Sequence, residues 1–205
     1  MTAPVAYFLI VALAAYLVGS VSFAVIISKR HGVDILKAGS GNPGATNVKR
    51  VVGKGAGNLC FVMDALKGVA AAGIPMLVFA GQGWGAQLGV TGLVAALVGH
   101  SFSVFIGFRG GKGVATTIGG LLALCPLVII VGVIAWLAVF YASRYVSLAS
   151  IALGLSLPLA AWLFSEPAII RYFTLVLAAI LIIRHRSNIA RLCKGTENRF
   201  VNSPK

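Results

Sequence analysis

Acidic residues are almost missing from this sequence. Asp34, Asp64, Glu166 and Glu197 are the four among 205 residues, against seventeen Lys and Arg. Charged residues of either sign make up 10% of the chain, where a soluble domain carries about a quarter. With 59% hydrophobic residues and a mean hydropathy of +0.98, the chain cannot cover itself with polar surface, and lipid must be its solvent. The three cysteines, Cys60, Cys125 and Cys193, match no disulfide or metal framework. No Cys/His metal spacing, GxSxG elbow or dinucleotide-binding fingerprint is present. The histidine–aspartate acyltransferase spacing is missing too, because the fifth residues after His31, His100 and His185 are Leu36, Phe105 and Ala190. The start lacks a basic region before its apolar run and reads as a retained first span.

Five apolar blocks are present, at about Pro4–Ser28, Ala56–Ala80, Ala86–Gly107, Val114–Ala142 and Val146–Ile183. A spanning helix needs about 20 such residues, so the last two blocks exceed one span each. Ser165, Glu166 and Pro167 break the fifth block, and Cys125 and Pro126 break the fourth. Parity decides the count. If the polar segments around Asn42, Lys112 and Asn188 share a face, four crossings between Val114 and Ile183 give seven spans. The expected fold is an all-α polytopic membrane protein: one domain over residues 1–205, seven transmembrane helices, short fourth and fifth spans. Lys and Arg then gather on the face of Asn42, Lys112, Arg144 and Asn188, with Arg171 alone near the other. The positive-inside rule makes that face cytoplasmic, with the N-terminus external and the C-terminus cytoplasmic. Five-span and six-span arrangements are the alternatives.

Three polar segments carry the chemistry. The first, KAGSGNPGATNVKR from Lys37 to Arg50, sets Gly39, Gly41 and Gly44 among Ser40, Asn42, Thr46, Asn47 and Arg50. Glycine permits turns whose successive amides form an anion-binding concavity; an ordinary basic loop is the plainer alternative. The second runs from Gly99 to Thr117 and contains Gly110, Gly111, Lys112 and Gly113 just before a helix start, an arrangement suited to an anion. It is not a nucleotide P-loop, because Ile106 stands where that motif needs its first glycine. His100, preceding it in an apolar helix, reads as structural. The third, RHRSNIARLCKGTENRF from Arg184 to Phe200, spaces His185, Asn188 and Arg191 three apart. On a helix continuing from the last span they would share a face, or else form a lipid-binding amphipathic tail. Glu197, the one acid of this segment, could hold an arginine there as easily as act in the chemistry. Within the second block Asp64 and Lys67, three apart, read as a salt-bridged pair, with Lys67 also able to reach an anion.

Taken together, these segments resemble the acyl-phosphate-dependent glycerol-3-phosphate acyltransferases of bacteria. The family's first motif is matched by Gly39-Ser40-Gly41-Asn42-Pro43-Gly44-Ala45-Thr46-Asn47 and Arg50. Its second is matched by Gly99-His100, Phe105, and Phe108 to Thr116, and its third by His185, Asn188-Ile189, Arg191-Leu192, Gly195 and Glu197. The resemblance implies seven transmembrane helices in the bacterial cytoplasmic membrane with the motifs on the cytosolic side. It implies acyl transfer from acyl phosphate to the 1-hydroxyl of glycerol 3-phosphate, giving lysophosphatidic acid and phosphate, the first acylation of phospholipid synthesis. Ser40, Asn42, Thr46, Asn47 and Arg50 are then expected at phosphate and carbonyl, and Gly110, Gly111, Lys112 and Gly113 at glycerol 3-phosphate. His185 and Asn188 are expected to orient the acceptor. No cofactor or nucleic acid is implied. A transporter or channel for an organic phosphate would use the same cradles for binding only.

Overall fold

The computed structural model describes residues 4–200. Every regular element among them is a helix, as a chain in hydrocarbon requires if its backbone polar groups are to be satisfied within the segment. The α-helices in order are α1 (Val5–Ser20), α2 (Phe23–Arg30), α3 (Ala45–Val51), α4 (Lys54–Val78), α5 (Gly85–Ser101), α6 (Val114–Leu124), α7 (Pro126–Ser143), α8 (Val146–Leu163), α9 (Ala168–Arg184) and α10 (Arg186–Cys193), with single 3-10 turns at Ala80–Gln82 and Val104–Ile106. The chain divides between Leu124 and Cys125 into two compact units.

Four stretches are long and apolar enough to cross a bilayer: Val5–Arg30, α4, α7 and α8, with α9 and α10 a fifth if counted as one bent span. Large aliphatic side chains stay uncovered along them, Leu77 at 76% and Leu159 at 74% exposure, which only lipid makes tolerable. The expectation of short fourth and fifth spans holds for one of the two. The fourth apolar helix, α6, has 11 residues, but the fifth, α7, has 18. Pro126 occupies the first position of α7, where a missing N–H costs nothing, so the proline starts a full-length helix instead of shortening one.

In the first unit α1 packs on α5, and α4 on both α5 and α6. Small residues set these approaches. A Cβ on Gly19 would run into the backbone of Ala96, and one on Gly68 into that of Thr116. Helices in lipid gain little from burying apolar surface and associate through such close contacts.

The first span is broken. Val21 and Ser22 are extended, and the Ser22 hydroxyl caps α2 by accepting from the Val25 amide. The break releases carbonyls that no helix answers. Lys67 Nζ donates to Gly19 O at 3.1 Å and Val21 O at 3.0 Å, and Ser103 Oγ donates to Ser20 O at 2.6 Å. In the second unit α7 packs on α8 and α8 on α9.

Candidate functional site

The first segment is part loop and part helix. Gly39 and Gly41 take left-handed backbone angles and α3 begins after Gly44, so Thr46, Asn47 and Arg50 stand on a helix. Asn47 is the hub of the loop. Its Oδ1 accepts from the Ser40 amide at 3.0 Å, and its Nδ2 donates to Ala38 O at 3.0 Å and Ile35 O at 3.4 Å. A Cβ at Gly39 would collide with that amide and with Val51. The Asn47 amide is thus engaged by loop backbone on both its oxygen and its nitrogen. Ser40 and Arg50 are exposed, and Asn42 and Thr46 half-buried.

The second segment is pinned from beneath. Ser103 is fully buried. Its backbone N–H donates to Arg109 O and its carbonyl accepts from Phe108 N, closing residues 103–109 into a small loop. The Gly111 amide donates to His100 O at 3.0 Å. A Cβ on Gly110 would overlap the His100 carbonyl, and one on Gly111 would overlap the His100 ring and crowd Pro43 O. The two glycine loops therefore lie against each other at Pro43 and Gly111, with half-buried Lys112 next to the start of α6.

Beneath them the Asp64 and Lys67 side chains pair at 2.8 Å, each 3% exposed, and His100 Nδ1 stands 3.8 Å from Asp64 Oδ1. The pairing expected from the sequence is present. The Lys67 ammonium faces Asp64, Gly19 O and Val21 O.

The third segment lies in the second unit. The helix does not continue past the last span as expected: α9 and α10 meet at a bend of 57°. His185 is the corner. Its backbone N–H donates to Leu181 O and Ile182 O, and its carbonyl accepts from Asn188 N and Ile189 N. The buried ring sets Nδ1 2.8 Å from Leu181 O. A carbonyl only accepts, so Nδ1 carries hydrogen, and in the neutral ring Nε2 carries the lone pair. A backbone carbonyl sets this tautomer.

Glu197 ties α10 to the start of α8. Oε1 accepts from Asn188 Nδ2 at 2.7 Å and Ser147 Oγ at 2.8 Å, and Oε2 accepts from Arg191 Nε at 2.7 Å. Burial alone would raise this carboxyl, but hydrogen bonds from Asn188, Ser147 and Arg191, with the Arg191 charge, hold it below its ordinary range. Ser147, in the first turn of α8, belongs to no motif and carries no sequence signal; neither does Ser103.

Residues 9–195 match the family model described as glycerol-3-phosphate acyltransferase. A curated relative of that name from Aquifex aeolicus (strain VF5) is 45% identical over 186 residues, spanning 91% of this chain and 95% of the relative. A crystal structure of PlsY, an integral membrane glycerol 3-phosphate acyltransferase in its glycerol 3-phosphate form, superimposes with a TM-score of 0.86. The identity is 41%, over 95% of this chain and 96% of that one. The lysophosphatidic acid form gives 0.84 at 42% identity, over 95% of each chain.

Proposed function

Since the chain belongs to the glycerol-3-phosphate acyltransferase family, it is a membrane acyltransferase that acylates glycerol 3-phosphate, and we propose that its acyl donor is an acyl phosphate. The observation that supports this reading is the pair of apposed glycine loops, with Lys112 between Gly111 and Gly113 at the start of α6. Both substrates then carry a phosphate, and one carries an acyl chain for the lipid. The glycerol 1-hydroxyl oxygen adds to the acyl carbonyl, the tetrahedral oxyanion collapses, the carbonyl–oxygen bond to phosphate breaks, and the hydroxyl proton leaves on the departing phosphate. A mixed anhydride is already activated, so no protein nucleophile is needed. Proximity and charge stabilisation supply the rate.

Ser40, Asn42, Thr46 and Arg50 serve the donor's phosphate and carbonyl, while Asn47 shapes their loop. Gly110, Gly111, Lys112 and Gly113 hold the acceptor phosphate. His185, Asn188 and Arg191 orient the acceptor, and Glu197 orients them. The chain forms one domain across a bacterial inner membrane, with its active site facing the cytoplasm.

Purified protein without coenzyme A or carrier protein should release phosphate only when acyl phosphate and glycerol 3-phosphate are both present. Release from acyl phosphate alone, or transport without release, overturns the reading. In the same assay Lys112→Ala should raise the KM for glycerol 3-phosphate by about 10–100-fold, the loss of one charge-assisted contact.

The proposed topology has seven spans, α1 with α2 forming the first, an external N-terminus and a cytoplasmic C-terminus. Its basis is the positive-inside distribution. A single cysteine placed at Arg144 should be labelled only from the cytoplasmic side; labelling from outside intact cells contradicts seven spans.

His185 acts by orientation in this reading. General-base help is worth about 10²–10⁴-fold, and the activated donor reduces the need for it. His185→Asn and His185→Gln should therefore keep more activity than His185→Ala, because an amide replaces a hydrogen bond but takes up no proton. If the amide variants bind glycerol 3-phosphate normally and are as inactive as alanine, His185 is the base.

A further inference from the structure

The ends of α8 and α9 away from the third segment carry donors that no acceptor answers. Trp162 and Tyr172 meet edge to face with ring centroids 6.0 Å apart. The Arg171 guanidinium lies over the Trp162 ring, 5.6 Å from its centroid. Among the described residues Arg171 makes no ion pair, and its Nε is buried without a hydrogen-bond partner. The Trp162 indole N–H and the Tyr172 hydroxyl likewise have no acceptor among the described residues. Beside this cluster runs an apolar groove of about 530 Å³, lined by Leu155, Pro158, Leu159, Trp162 and Leu175. The α8 positions recur at helical spacing, so the groove follows the helix axis and ends at the donors. An unanswered cation at a membrane boundary needs an anion. Guanidinium fits phosphate oxygens, and indole and phenol rings favour the headgroup level.

We propose that this face binds a bilayer glycerophospholipid, its phosphodiester on Arg171 with the Trp162 and Tyr172 donors beside it, and one acyl chain in the groove. The site is separate from the third segment: Trp162 lies fifteen residues beyond Ser147 on α8, roughly 22 Å along the axis. It does not depend on the identity of the acyl donor. In the seven-span topology it faces the outer leaflet, and Arg171, the one Lys or Arg near that face among the described residues, has its counter-charge in the lipid.

The test is native mass spectrometry of the full-length protein released from detergent. It is titrated with phosphatidylglycerol bearing one palmitoyl and one oleoyl chain, and separately with diacylglycerol of the same chains. The protein should retain one phosphatidylglycerol at concentrations where diacylglycerol is lost. Arg171→Gln and Leu159→Trp should each raise the concentration for half-occupancy about tenfold, with kcat/KM unchanged. Equal retention of diacylglycerol would mean an ordinary lipid annulus and overturn the proposal. So would unchanged binding in either variant, or a dimer peak at this face that Arg171→Gln abolishes in place of a lipid peak.

Discussion

Lys67→Met should destabilise the protein by about 3–5 kcal/mol, the usual cost of removing one partner of a buried ion pair. The methionine fills much the same volume, so the loss is polar and not a cavity. Two consequences add up. Asp64 keeps a buried charge without the cation 2.8 Å away, and the Gly19 and Val21 carbonyls lose the donor that answers them at the break in the first span. Water cannot replace that donor in hydrocarbon. The double variant Asp64→Leu with Lys67→Met should recover part of the loss by removing the charge, but not all, since the carbonyls stay unanswered. Unfolding in detergent by sodium dodecyl sulfate titration measures both. A single variant as stable as the parent would show that Lys67 does not staple the break.

Glu197→Ala is expected to cost about 2–4 kcal/mol and most of the activity. A buried carboxylate accepting three side-chain donors is removed, and charge-assisted hydrogen bonds contribute about 1.5–3 kcal/mol each without full additivity. Arg191 and Asn188 lose the group that fixes their direction. Glu197→Gln should fall between the two, keeping an oxygen acceptor but losing the charge that faces Arg191. A pH dependence follows. The folded carboxyl is held below its ordinary range, so its contribution to stability is fully present above that range. It is lost as pH falls through the folded value. The parent protein should therefore lose stability on acidification below about pH 4.5 more steeply than Glu197→Ala. Parallel acid profiles for the two would contradict this account.

Much of the candidate site was legible because its residue types are local. Gly39 and Gly113 stand where the backbone is left-handed, and each sits in a run of glycines that the sequence displays openly. The Asp64–Lys67 pair was legible because three residues on a helix bring two side chains together. The role of Asn47 was not, since it looks like any polar residue of a motif until its amide is seen turned back on Ala38 and Ile35. The bend at His185 was hidden because nothing in Ile183-Arg184-His185-Arg186 breaks a helix: the run has no proline and no glycine.

The sequence by itself determined the solvent and the helical class. Those follow from composition and from the need of every backbone group in lipid for a partner close in the chain. The motif residues and their order were equally explicit. Only the tertiary structure decided where helices break and which side chains answer the breaks. Lys67 reaches carbonyls 46 and 48 residues away, Ser103 one that is 83 away, and Ser147 a carboxylate 50 away. Helical periodicity reports neighbours three and four positions apart. Contacts at such separations are set by packing, which brings small residues such as Gly19 and Gly68 against neighbouring backbones and carries the polar groups beside them into reach.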